Sequence, residues 1–114
     1  MDIDIRQSGN ICSLRLKGAL KAEFVRDFDS ALESALATGC IYLVLDLHDM
    51  PFIDSSGIGA IVNALRLTRQ SGGDTKLVNP SNFASKTFKM VGILSLFSVF
   101  PTEEEAIAAC AIAS

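Results

Sequence analysis

The sequence has little with which to hold a metal. It contains one histidine, His48, and three cysteines, Cys12, Cys40 and Cys110, with no Cys-x-x-Cys pair. Protein metal sites of the zinc type need such ligands at close spacing, so neither a metal nor another cofactor is expected. The odd, widely spaced cysteines read as three buried or idle thiols in a reducing cytosol rather than as a disulfide. Basic clusters are also missing. The ten Lys and Arg are scattered through a chain of formal net charge -3, which leaves nothing to neutralise a run of phosphates and excludes nucleic acid as a partner. No apolar run approaches the ~18 residues of a membrane span, so direct membrane insertion is not expected. The opening Met1-Asp2-Ile3-Asp4 is acidic and alternating, unlike the basic and then apolar start of a signal peptide. These absences together predict a cytoplasmic protein.

What is present is an ordinary globular composition, 49% hydrophobic and 20% charged over 114 residues. That length supports one core, hence a single domain over residues 1–114. Residues 2–7 and 11–17 alternate apolar with polar around the turn cluster Ser8-Gly9-Asn10, the pattern of a β-hairpin. Residues 22–37 place Phe24, Val25, Phe28, Ala31, Leu32, Ala35 and Leu36 on one helical stripe, closed by Gly39. Residues 41–47 are apolar at consecutive positions, which predicts a strand buried on both faces. A second helix is expected over 56–70 and a short strand over 75–78. A third helix follows, with Ser81 as N-cap and Ala84, Phe88 and Val91 on its buried side. A last strand is expected over 96–100, and a final helix over 106–113 behind the capping-box spacing Thr102-x-x-Glu105. Strands alternating with helices predict an α/β fold. Its central sheet would be mixed but mostly parallel, with an N-terminal hairpin at one edge and about four helices.

The chain is organised around the passage from the strand at 41–47 to the helix at 56–70. Between them stands Phe52-Ile53-Asp54-Ser55-Ser56-Gly57-Ile58-Gly59. Three kinds of chemistry can be weighed there. A hydrolase nucleophile elbow needs Gly-x-Ser-x-Gly, but Ile53 and Asp54 occupy the positions two before Ser55 and Ser56. A phosphate-cradling loop needs a third glycine or a Gly-Lys-Ser/Thr, and neither follows Gly57-Ile58-Gly59. A receiver domain, with Asp54 or Asp46 as its phosphorylated aspartate, needs an acidic pair for Mg²⁺ after the first strand and a late-strand lysine. Residues 7–13 contain no acid and residues 96–100 no lysine. Two readings survive. Asp54, Ser55 and Ser56 are helix caps, or a serine at a helix N-terminus accepts phosphate, where the helix end favours an anion.

The stretch from Leu43 to Gly59, Leu-Val-Leu-Asp-Leu-His-Asp-Met-Pro-Phe-Ile-Asp-Ser-Ser-Gly-Ile-Gly, resembles the central motif of STAS domains of the anti-sigma factor antagonist type. The flanking elements follow the family order over the whole chain. The resemblance implies a STAS-like fold and a partner switch rather than an enzyme. The unphosphorylated form would bind an anti-sigma factor that is itself a serine kinase of the histidine-kinase-like ATPase type. Phosphorylation on Ser55 would release it, and a PP2C-type phosphatase would reverse the modification. Asp54, Ser56, Gly57 and Ile58 would shape the phosphorylation loop and the partner contact. One position departs from the family, which usually has Gly-x-Leu-Asp at the end of the second strand. Here it is Gly18-Ala19-Leu20-Lys21. Lys21 is either an exposed helix-start residue without a role, or it pairs with a phosphate on Ser55 or marks a partner of different electrostatics. The alternative function is a STAS subunit of a membrane transport or lipid-trafficking complex, without phosphorylation.

Overall fold

A computed structural model describes residues 1–113. The opening hairpin forms as the alternation predicts, with β1 (Asp2–Ser8) antiparallel to β2 (Ile11–Lys17). A 3-10 turn (Ala22–Phe24) leads into α1 (Val25–Ala37), then β3 (Tyr42–Asp46) and α2 (Ser55–Gln70). The chain continues through β4 (Asp74–Val78) and α3 (Asn82–Met90) to a 3-10 turn (Leu94–Leu96). It closes with β5 (Val99–Phe100) and α4 (Glu103–Ala113). The strands form one sheet in the order β1-β2-β3-β4-β5, parallel from β2 onward.

The two-sided burial expected of β3 follows from its position at the centre. Leu43, Leu45 and Leu47 enter a core with Phe28 and Leu32 of α1, Ile61 and Leu65 of α2, and Ala84 and Phe88 of α3. Tyr42 and Val44 point the other way, to a smaller cluster with Val78 of β4 and Ala106 and Cys110 of α4. Three helices therefore cover one face and α4 alone covers the other. Burial raises the pKa of the Cys110 thiol in that thinner layer, where it behaves as a small hydrophobe. On the thicker side the Thr68 and Thr75 hydroxyls bond each other at 2.9 Å, which satisfies two buried polar groups between α2 and β4.

Three expectations are corrected. The final strand is shorter than residues 96–100, because Leu94–Leu96 turn as a 3-10 helix and only Val99–Phe100 reach β4. Val91 lies beyond the C-terminus of α3 and is exposed, not buried. The reading of three free thiols also fails, because Cys12 and Cys40 form a disulfide. Cys12 faces α1 from β2, and Cys40 follows the end of α1, so the fold brings their Cα atoms to 5.8 Å, a normal bridging separation. Sequence spacing alone could not show that approach.

Candidate functional site

The hinge between β3 and α2 is built around Asp54. Its backbone is extended, with φ -103° and ψ -176°, and its side chain caps α2, the Oδ1 atom accepting the Gly57 N–H at 2.9 Å. The second oxygen is used elsewhere: Oδ2 accepts the Ala22 N–H at 3.0 Å. One carboxylate thus ties the start of α2 to the turn that begins α1. Backbone bonds run alongside it. The Leu20 N–H donates to the Phe52 carbonyl at 2.9 Å, and the Asp54 N–H donates to the Leu20 carbonyl at 3.2 Å. Leu20 and Ile53 pair as a short parallel bridge. Met50 and Ile53, both buried, anchor the loop from below, and the Ser81 hydroxyl donates to the Met50 carbonyl.

Helix α2 begins one residue earlier than the periodicity suggests, at Ser55 rather than Ser56. Both serines are exposed. Because Asp54 supplies the cap, neither hydroxyl is needed for it, and among the described residues neither is engaged by another protein group. Successive helix positions are rotated by ~100°, so the two hydroxyls leave the helix in different directions. Gly57 is buried against Leu20. A Cβ there would meet the Leu20 carbonyl oxygen, as well as Ile53 Cγ1 at 2.8 Å and Leu20 Cγ at 2.9 Å. Ile58 is half-buried and packs on the main core, so it offers only part of its side chain to a partner.

Lys21 sits between the two residues that bond Asp54. Its ammonium pairs with Glu23 Oε1 at 2.8 Å and lies 5.7 Å from the Phe24 ring centroid. The hydrogen bond and the charge of Glu23 raise its pKa, with a smaller contribution from Asp54. It is therefore a half-exposed cation within electrostatic reach of the hinge.

The Asp54 carboxyl is held below the usual carboxylate range. The Gly57 N–H is the main cause and outweighs the opposing desolvation, with the Ala22 N–H adding to it. A depressed folded-state pKa contributes stability that is complete above the unfolded pKa and is lost as pH falls through the folded value. Unfolding free energy should therefore fall more steeply below about pH 4 in the wild type than in Asp54→Asn, whose amide oxygen can still cap without titrating. Parallel urea titrations at neutral and acidic pH check this, and identical acid slopes would refute it.

Two other features of this surface were not legible from residue spacing. Phe52 and Phe83, each 42% exposed, pack with tilted rings whose centroids are 5.2 Å apart. His48 Nδ1 lies 3.1 Å from Asn79 Nδ2 in the neighbouring loop, a contact that leaves the single histidine away from both serines in the hydrogen-bond network. Among the described residues no group of three or more His, Cys, Asp or Glu could hold a metal ion, and no helix is long and apolar enough to cross a membrane.

Comparison with known proteins adds a second line of observation. A family model described as the STAS domain matches residues 2–106. The chain is 32% identical over 95 residues to an anti-sigma F factor antagonist of Lysinibacillus sphaericus, an alignment covering 82% of this chain and 80% of that protein. It is similar in structure to the anti-sigma factor antagonist SpoIIAA in its unphosphorylated form, with a TM-score of 0.81, 26% identity and 93% of each chain covered. It is also similar to the phosphorylated form of the Bacillus cell fate determinant SpoIIAA, with a TM-score of 0.77, 25% identity and coverage of 95% of this chain and 98% of that one.

Proposed function

This chain belongs to the STAS domain family, and from that premise we propose that it is an anti-sigma factor antagonist working as a phosphorylation-controlled partner switch in the cytoplasm. The observation that carries this reading is the exposed Ser55 hydroxyl on the first residue of α2, left unused because Asp54 makes the cap. The free form binds an anti-sigma factor that doubles as a serine kinase of the histidine-kinase-like ATPase type. In the transfer step the Ser55 oxygen forms a bond to the γ-phosphorus of ATP. The bond to the bridging oxygen breaks, ADP departs, and the hydroxyl proton passes to a base on the kinase. A PP2C-type phosphatase hydrolyses the ester. The chain itself supplies a substrate hydroxyl and a docking face, not a catalytic group.

A phosphate on Ser55 adds about -1.5 to -2 charges at neutral pH, one residue from the Asp54 carboxylate. The helix N-terminus tolerates that anion, so the fold survives. A partner packed over the hinge meets repulsion and the cost of burying the new charge. Lys21 is the cation placed to respond, since a phosphate on Ser55 competes with Glu23 for its ammonium. Asp54, Ser56, Gly57 and Ile58 frame the contact.

Incubation with the cognate kinase and ATP, followed by peptide mass spectrometry, should place phosphate on Ser55, and Ser55→Ala should abolish it. Phosphate found only on Ser56, or on neither serine, would overturn the assignment. In a pull-down with the anti-sigma factor, Ser55→Asp should lose most of its binding while Ser55→Ala keeps it. Undiminished binding by the aspartate variant would argue against release by charge.

A further inference from the structure

The C-terminal end of α3, with the 3-10 turn and edge strand that follow, forms a second exposed surface. Met90 is 86% exposed, and Val91, Leu96 and Val99 are also exposed. In the same segment a shallow, open depression of about 500 Å³ is lined by Lys89, Gly92, Leu94, Ser95, Phe97 and Val99. Its floor is firm, because Phe97 is buried and packs at a tilt against Phe88 with centroids 6.0 Å apart. Strand β5 is the last in the sheet and, among the described residues, pairs only with β4, so its outer edge is open to an added chain.

The charge of this surface sets it apart. Residues 79–102 contain Lys86 and Lys89 and no Asp or Glu, a cationic stretch in a chain of net charge -3. Both lysines are exposed. Most other cations of the sheet and helix ends are paired with an acid: Arg15 with Asp46, Lys17 with Asp4, Lys21 with Glu23, and Arg69 and Lys76 with the shared Asp74. Among the described residues Lys86 and Lys89 pair with no acid. Arg69 also donates to the Leu96 carbonyl at 2.8 Å, which fixes the turn beside the cavity.

We propose that this face docks an acidic peptide segment of a partner protein, an apolar side chain entering the cavity and flanking carboxylates meeting Lys86 and Lys89. The open edge of β5 favours an extended chain over a lipid surface. The two unpaired lysines favour Asp and Glu over a neutral apolar segment. The face is separate from the hinge: Phe83 at the start of α3 touches Phe52, whereas Met90 lies at its other end, ~10 Å away at 1.5 Å per residue. A chain with both faces can hold a second protein whether or not Ser55 is modified. The inference does not depend on the switch proposed above.

The test is selection from a displayed library of random peptides on the immobilised full chain, with counter-selection on the double variant Lys86→Glu/Lys89→Glu. All substituted positions are exposed, and circular dichroism verifies that the variants fold. The expected winners combine Asp or Glu with a large apolar residue. A synthetic winner should bind about tenfold more weakly to the double variant and to Met90→Asp, with affinity for Ser55→Asp unchanged. Winners without an acidic bias, or insensitive to charge reversal, overturn the proposal. So does lysine-dependent co-sedimentation with phosphatidylglycerol vesicles in the absence of any peptide selection, which assigns the face to lipid. Concentration-dependent dimerisation abolished by Met90→Asp also overturns it, in favour of a second copy of the chain.

Discussion

Gly57→Ala is expected to destabilise the protein by about 3 kcal/mol, the upper end of the range for overpacking a filled site. The added methyl would meet the Leu20 carbonyl oxygen and two side-chain carbons within 3 Å, on Leu20 and Ile53. None of these can withdraw cheaply. The carbonyl accepts the Asp54 N–H, and both side chains are buried. Relief would come by moving the start of α2 away from Leu20, which breaks the Asp54 bond to Ala22. Gly59→Ala is the matched control. A Cβ at Gly59 meets nothing within 4 Å, and alanine there gains about 0.5–1 kcal/mol in helix propensity. Urea unfolding of both variants measures the contrast. A loss below about 1 kcal/mol for Gly57→Ala would mean that α2 can draw away from Leu20 at little cost.

The second large effect is expected at the Cys12–Cys40 disulfide. The two residues are 28 apart in sequence. In the chain-entropy model, closing a loop of that length in the unfolded chain stabilises the folded state by about 3.5 kcal/mol. Fully oxidised protein should therefore unfold at a clearly higher urea midpoint than protein held in reductant. Cys12→Ser/Cys40→Ser should be insensitive to reductant, since it has no bond to lose. Both sulfurs are buried, so reduction of the native protein is also expected to be slow without denaturant. Equal midpoints in oxidant and reductant would remove the bond from the account of stability. The hinge lies at the C-terminal ends of β2 and β3 and the disulfide at their starts, so binding at the hinge should not change with redox state.

The fold was legible because local signals agreed with one another. Alternation marked β1 and β2, consecutive apolar residues marked β3, and the Ser81 cap was found with its oxygen accepting the Ala84 N–H. The failures share a cause in tertiary contact. The run at 96–100 is apolar enough for a strand, yet Leu94–Leu96 turn instead and their last residue offers its carbonyl to Arg69 of α2. The disulfide depends on α1 returning its end to β2. At the candidate site the residue types were read, but their division of labour was not. The residues alone left open which of Asp54, Ser55 and Ser56 makes the cap, and only the family resemblance singled out Ser55 for phosphate. The structure gives the cap to Asp54 and uses its second oxygen on Ala22, a residue 32 positions away, which no spacing rule reaches. Gly57 and Gly59 looked alike in the motif, and only one of them is hemmed in.

The bridge between Leu20 and Ile53 also bears on time. The segment is braced by two backbone bonds and a shared carboxylate, so a phosphate on its exposed side can be carried with those bonds in place. If Ser55 is the modified residue, the mark needs no refolding to be read, and the folded scaffold imposes no delay of its own. The response would then be paced by the two opposing enzymes and by the departure of the partner. Its speed would be tuned by changing those proteins, with this chain acting as a fixed contact whose charge alone is rewritten.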